Sequence, residues 1–123
     1  MNKSNYRDLL VWQRSREMTT AIYRQTRRFP SDERFCLTQQ IRRASLSILC
    51  NIAEAHGRRS IKERLHFLDI AHGSALEVEA QLVIAGDLEY LDTNTAEALI
   101  EHLLEITRLL NGLIRHYERK AAS

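Results

Sequence analysis

The sequence predicts an all-α protein, an up-down-up-down antiparallel four-helix bundle. The chain of 123 residues has one proline and four glycines, too few turn-forming residues for a many-stranded β-sandwich or barrel. Apolar residues recur at helical spacing in four long segments. Helix-end signals leave only short connections between these segments, and short connections favour antiparallel neighbours. The length suits a single domain over residues 1–123.

The first two predicted helices cover residues 6–28 and 33–55. The apolar stripe of the first is Val11, Ser15, Met18 and Ile22. It ends before Pro30, because a residue that precedes proline avoids the helical region. The stripe of the second is Leu37, Ile41, Ala44, Ile48 and Ile52. We expect Gly57 to end the second helix as its C-terminal glycine.

The third and fourth predicted helices cover residues 61–88 and 95–119. Ser60 and Glu63 have the spacing of a capping box, and Asp92-Thr93-Asn94 supplies the next N-cap. The third stripe is Ile61, Leu65, Leu68, His72, Ala75, Glu79, Leu82 and Gly86, with two polar members. The fourth stripe is Ala96, Leu99, Leu103, Ile106, Leu110, Leu113 and Tyr117. Helix four has further apolar residues outside this stripe, which predicts self-association: Ile100, Leu104, Leu109 and Ile114.

Positive charge is predicted to collect at one end of the bundle. The net charge of the chain is only +2, so the positions of the charges matter more than their sum. In an antiparallel bundle, the first residues of helices one and three lie beside the last residues of helices two and four. The candidate nucleic-acid-binding residues at this end, which we call the basic end, are Arg7, Arg58, Arg59, Lys62, Arg64, Arg115, Arg119 and Lys120. Lys3 joins them, opposed by Asp8, Glu54, Glu63 and Glu118.

Concentrated positive charge favours binding to a phosphate backbone. The basic end has only two aromatic residues, Tyr6 and Tyr117, and both suit the edge of the core. We therefore expect contacts to RNA or DNA backbone without sequence readout. Two alternatives remain: these are solvated charges with capping roles, or the basic end binds an acidic partner protein in an interaction scaffold.

The most motif-like polar set lies on helices two and three: Arg43, Ser47, Asn51, Glu54, Ser74, Glu77 and Glu79. A hairpin centred near residue 58 would place Arg43 opposite Gly73. A ligand or catalytic site is one interpretation. We favour a structural polar network that fixes the register of the two helices.

The sequence gives little support for metal, cofactor or enzyme chemistry. Glu63-x-x-His66 and Asp69-x-x-His72 have the spacing of diiron ligands but lie on one helix, whereas a diiron site draws ligands from four. No nucleophile, phosphate-loop or dinucleotide motif is present, so we expect a non-enzyme without cofactor or metal. Cys36 and Cys50 should be free thiols. No apolar run approaches the roughly 20 residues that span a bilayer, which predicts a cytoplasmic protein.

Ordered motifs along most of the chain resemble one known family. They are Val11-Trp12-Gln13, Phe29-Pro30-x-x-Glu33, Gln40-x-x-Arg43-Ala44-Ser45-x-Ser47-Ile48, Asn51-Ile52-Ala53-Glu54, Gly57-Arg58, Phe67-Leu68-x-Ile70-Ala71-x-Gly73-Ser74 and Glu77-x-Glu79-x-Gln81-Leu82. Together they resemble the four-helix-bundle family of 23S rRNA intervening-sequence proteins, which includes Avd, the accessory protein of diversity-generating retroelements.

The resemblance implies a homo-oligomer, most simply a ring of five subunits. It also implies nucleic acid as a partner, with the protein acting either beside a reverse transcriptase or in association with an rRNA intervening sequence. A ring of parallel subunits would join the basic ends into one continuous collar.

Overall fold

The computed structural model describes residues 5–123 and has four α-helices in that range. They are α1 (Leu10–Thr26), α2 (Leu37–His56), α3 (Ile61–Asp87) and α4 (Thr93–Ala122). Two short 3-10 helices, Tyr6–Asp8 and Ser31–Glu33, precede α1 and α2. The described residues contain no β-strand. The predicted all-α four-helix bundle is confirmed.

The helices form a closed antiparallel square. Each helix packs against its sequence neighbours, and α4 packs against α1, while within residues 5–123 no Cα atoms of the diagonal pairs lie within 8 Å of each other. Arg64 in the first turn of α3 hydrogen-bonds to Tyr117 near the end of α4. Arg42 in α2 hydrogen-bonds to Thr26 at the end of α1. These two contacts lie at opposite ends of the bundle, as the up-down-up-down order requires.

The first two helices begin later than predicted. The Asn5 side chain accepts from the Arg7 N–H, and the Asp8 carboxylate accepts from the Asn5 N–H. This cap closes a separate 3-10 turn, and the extended backbone of Leu9 (ψ 128°) breaks it from α1. Residues 31–33 likewise form their own turn, and Cys36 (φ −122°, ψ −106°) stands outside the helical region just before α2.

The other helix boundaries follow the predicted capping signals closely. The Ser60 hydroxyl accepts from the Glu63 N–H at 3.0 Å, although the Glu63 carboxylate bonds the Ser60 hydroxyl and not its N–H. The Asp92 carboxylate accepts from the Thr95 N–H at 2.8 Å, and that hydrogen bond lowers the pKa of Asp92. Gly57 ends α2 as expected, but in a right-handed conformation (φ −83°).

The core follows the predicted stripes, with one difference in α3. Met18, Ile48, Leu82 and Ile106 are fully buried. The third helix also buries alanine and valine positions that its predicted stripe omits: Ala71, Val78 and Ala85. Because α3 packs against both α2 and α4, its buried arc is wide and centred away from His72 and Glu79, which are half-buried at the edge.

The connection between α3 and α4 contains a left-handed residue. Glu89 has a φ of 63°. Its N–H donates to the Gly86 carbonyl at 3.0 Å, and the Tyr90 N–H donates to the Ala85 carbonyl at 3.0 Å. These two bonds form a Schellman motif, in which glycine is the usual left-handed residue.

Replacing Glu89 with glycine is expected to raise the free energy of unfolding by about 1 kcal/mol, because glycine has no Cβ to clash in this conformation. Urea denaturation followed by circular dichroism measures the change. Glu89→Ala is the matched control, since it removes the carboxylate and keeps the strained Cβ. A glycine variant no more stable than the alanine variant would contradict the prediction.

Candidate nucleic-acid interface

The Arg64 side chain connects three parts of the basic end through hydrogen bonds. Its Nε donates to the Arg58 carbonyl at 2.7 Å, and its guanidinium donates to the Tyr117 hydroxyl at 2.9 Å. The same guanidinium lies 5.4 Å from the centre of the Tyr117 ring. Arg64 therefore ties the α2–α3 loop and α3 to α4, and its Nε and Nη1 groups each donate one hydrogen bond within the protein.

Arg58 is also engaged. Its guanidinium forms an ion pair and hydrogen bond with the Glu54 carboxylate one turn earlier. It also lies 4.8 Å from the centre of the Phe67 ring. The pair cancels charge locally, so Arg58 and Arg64 contribute more to the structure of this end than to its free positive charge.

The remaining six candidate residues at the basic end are exposed and form no ion pair within the described part of the chain. We call them the free cations: Arg7, Arg59, Lys62, Arg115, Arg119 and Lys120. Two of the opposing carboxylates are occupied locally, since Asp8 accepts from the Asn5 N–H and Glu63 accepts from the Ser60 hydroxyl. Lys3 lies outside the described residues.

The structure joins three members of the predicted polar set. The Ser47 and Ser74 hydroxyls hydrogen-bond at 2.7 Å, linking α2 to α3. Asn51 Nδ2 donates to the Ser47 carbonyl at 2.8 Å and to its hydroxyl at 3.1 Å. The contact is displaced by about one turn from the register that would place Arg43 opposite Gly73.

The other members of that set lie apart from this cluster. Arg43 is exposed, and Glu54 pairs with Arg58. Glu77 is exposed and accepts from Gln81 at 3.4 Å. Glu79 is half-buried at the edge of α3 and does not join the serine cluster. Ser47, Asn51 and Ser74 alone form the local network.

The described residues contain no group of three or more histidine, cysteine, aspartate or glutamate side chains placed to hold a metal ion. His66 is exposed, and its ring packs edge-on against Phe67 at 5.2 Å. Cys36 and Cys50 are exposed free thiols, as predicted. Over residues 5–123, no helix has both the length and the apolar character that a membrane crossing requires.

A second set of arginines lies along the sides of α1 and α2. Arg7, Arg16 and Arg24 line one surface groove. A neighbouring groove is lined by Tyr23, Arg34, Phe35, Arg42, Arg43 and Leu46, among others. Apart from Arg7, these arginines were not among the residues predicted at the basic end. The available signal was the eight-residue spacing of Arg16 and Arg24, which places both on one helix face.

Comparisons with known proteins agree with this architecture. No curated protein matches the chain significantly. A solved structure of a protein with unknown function from the S23 ribosomal protein family of Bacteroides thetaiotaomicron is similar, with a TM-score of 0.80 and 28% sequence identity. The match covers 86% of this chain and 96% of that chain. The family model described as 23S rRNA-intervening sequence protein matches residues 7–112, from the turn before α1 to a point two thirds of the way along α4. The chain therefore belongs to the 23S rRNA-intervening sequence protein family.

Proposed function

We propose that this protein is a non-enzymatic, nucleic-acid-binding homo-oligomer that contacts the phosphate backbone through its basic end. One observation supports this most directly: the six free cations are exposed together without ion-pair partners in the described chain. Unpaired lysine and arginine side chains attract phosphates and release the counterions condensed on nucleic acid. The binding is therefore electrostatic and strongly dependent on salt.

The two tyrosines at this end are engaged within the protein. The Tyr6 ring packs edge-on against Trp12, with centroids 5.0 Å apart. The Tyr117 hydroxyl accepts a hydrogen bond from Arg64. Because both aromatic rings are occupied by the protein, the basic end binds RNA and DNA of any sequence.

Exposed apolar residues support the self-association. Leu76 and Val83 are 56% and 46% exposed, and their seven-residue spacing places them on one face of α3. Leu104 on α4 is 42% exposed. Leu109 and Ile114 pack partly against the core instead, so the surplus apolar surface lies on α3 more than on the predicted helix four. We propose that copies associate through this outer surface of α3 and α4, as a ring of five.

The resemblance supplies two settings for this oligomer, one as accessory to a reverse transcriptase and one in association with an rRNA intervening sequence. The genes that flank this one distinguish the two. Both settings place the protein beside nucleic acid, so a measurement of RNA binding tests either.

Reversing two free cations is expected to weaken binding to every nucleic acid. In the double variant Arg59→Glu, Lys62→Glu, affinity should fall at least tenfold, and the slope of log K against log salt should become shallower by about 2. Fluorescence anisotropy with labelled single-stranded and double-stranded RNA measures both quantities. Arg58 and Arg64 are left in place because they hold the loop, and a glutamate in the first turn of α3 suits the helix dipole.

The matched control is Arg27→Glu, Arg108→Glu, which makes the same change in net charge at exposed positions outside the basic end. Circular dichroism and light scattering verify that both variants keep the helical content and mass of the parent. If the two variants bind equally well, or if the parent binds no nucleic acid at low salt, the proposed function is wrong.

A further inference from the structure

A groove of about 490 Å³ lies between the C-terminal half of α1 and the N-terminal half of α2. Its volume falls within the usual range for small-ligand sites. The groove lies toward the end of the bundle opposite the basic end. Its lining residues include three arginines and two aromatic rings but no carboxylate.

Phe35 is the most exposed large apolar side chain among the described residues, at 77%. It stands between the 3-10 turn Ser31–Glu33 and α2, where the Cys36 N–H donates to the Glu33 carbonyl at 3.0 Å. The Arg34 guanidinium lies over one face of its ring, 5.4 Å from the ring centre, which leaves the other face to a ligand. A flat ring exposed in this way costs free energy until a second apolar surface covers it.

One arginine of the groove is held by hydrogen bonds within the protein, and the other two are exposed. Arg42 donates from Nε to the Thr26 hydroxyl at 2.8 Å and from its guanidinium to the Tyr23 carbonyl at 3.3 Å. It also lies 4.7 Å from the centre of the Tyr23 ring. Arg34 and Arg43 are exposed and form no ion pair in the described range.

The carboxylate nearest to Arg34 along the chain has hydrogen-bond partners outside the groove. Glu33 accepts from the Tyr90 hydroxyl at 2.9 Å and from the Leu37 N–H at 3.3 Å. The hydrogen bond to Glu33 raises the pKa of Tyr90. Because three arginines and no carboxylate line the groove, its lining carries a net positive charge beside an exposed aromatic ring.

From this juxtaposition we propose that the groove binds an unpaired nucleotide of a single-stranded nucleic acid, with its base stacked on Phe35 and its phosphate held by Arg34 and Arg43. Every base has a flat π face that an aromatic side chain can cover, and arginine binds phosphate with paired N–H donors. Leu46, 39% exposed, offers a second apolar contact at the groove. The inference rests on the proposed nucleic-acid function and adds a preference for single strands.

The test uses the full-length protein and two RNAs of equal length, a single-stranded oligoadenylate and a double-stranded RNA. In the Phe35→Ala variant, affinity for the single strand should fall about 5-fold to 100-fold, the effect typical of losing one stacked base. Affinity for the double strand should not change. Phe35→Tyr keeps a flat ring and should retain the parent affinity for the single strand. Because Phe35 is largely exposed, neither variant should alter folding.

A direct readout comes from Phe35→Trp. Oligoadenylate should quench the fluorescence of the introduced indole, while the buried Trp12 of the parent, 8% exposed, should show no quenching. Equal quenching by oligoglutamate would indicate an acidic peptide site and overturn the proposal. If the quenching titration gives adenosine monophosphate the same affinity as the oligonucleotide, the ligand is a free nucleotide. That result would overturn the proposal that the groove binds a strand.

The failure of this inference is distinguishable from failure of the proposed function. The double variant at Arg59 and Lys62 should lower the affinity for both RNAs, whereas Phe35→Ala should lower the affinity for the single strand alone. If Phe35→Ala binds both RNAs like the parent, the groove hypothesis is wrong and the basic end retains its role. If the parent binds neither RNA, the proposed function itself fails.

Discussion

Replacing Leu76 and Val83 together with glutamate is expected to dissociate the proposed oligomer into subunits of 14.3 kDa. Both side chains are about half exposed on one face of α3, so glutamate is compatible with the isolated subunit. At an interface between copies, two carboxylates would lose their hydration without gaining partners, which is strongly unfavourable. Light scattering at micromolar concentration should give several times the subunit mass for the parent and one subunit mass for the variant.

The control adds the same charge elsewhere. Leu10 and Thr20 are exposed on α1, and Leu10→Glu, Thr20→Glu should leave the oligomer mass unchanged. An unchanged mass for the Leu76 and Val83 variant would show that the copies do not meet through this face. If the parent protein is already monomeric, the basic ends of several copies cannot form the proposed collar.

Dissociation should also weaken nucleic-acid binding, although the free cations are untouched. Several basic ends on one strand bind with avidity, which strengthens binding by about 10²-fold to 10⁴-fold when the geometry allows simultaneous contacts. Binding by the monomeric variant should therefore be weaker and less steeply dependent on salt. Equal affinity of monomer and oligomer would mean that one basic end is sufficient.

The fold was predictable because its signals are local and repeated. The apolar stripe of α1 and the caps at Ser60 and Asp92 each involve residues within a few positions of one another. Such patterns specify helices and their ends before any tertiary contact forms. The breaks at Leu9 and Cys36 were missed, although the Asn5 and Asp8 spacing was a local signal for the first of them.

The candidate site was only partly predictable from the sequence. The sequence indicates at which end of the bundle a charged side chain lies, but not always whether that side chain already has a partner within the protein. The Arg58 pairing with Glu54 follows the i, i+4 rule and was visible in the sequence. The Arg64 contact with Tyr117 joins residues 53 positions apart, so only the folded chain shows that this arginine is engaged. The groove at Phe35 likewise depends on Tyr23 and Arg42 meeting across two helices.

Truncating Leu68 to alanine should strongly destabilise the bundle. Leu68 lies in α3, is fully buried in the core and belongs to the predicted apolar stripe. Removing its side chain loses apolar burial and leaves a cavity that the surrounding helices can fill only partly, so the free energy of unfolding should fall by about 2–5 kcal/mol. Urea denaturation at a fixed protein concentration measures the change, since association contributes to the stability of an oligomer.

Ile70 provides the matched comparison, because it lies two residues further along the same helix and is 40% exposed. Ile70→Ala removes a side chain of equal size from the surface, and alanine is the better helix former. Its effect should stay within about 0.5 kcal/mol. The comparison isolates burial from helix propensity, since both changes place alanine in the interior of α3. Similar losses at the two positions would contradict the packing of α3, because Leu68 should face the core and Ile70 should not.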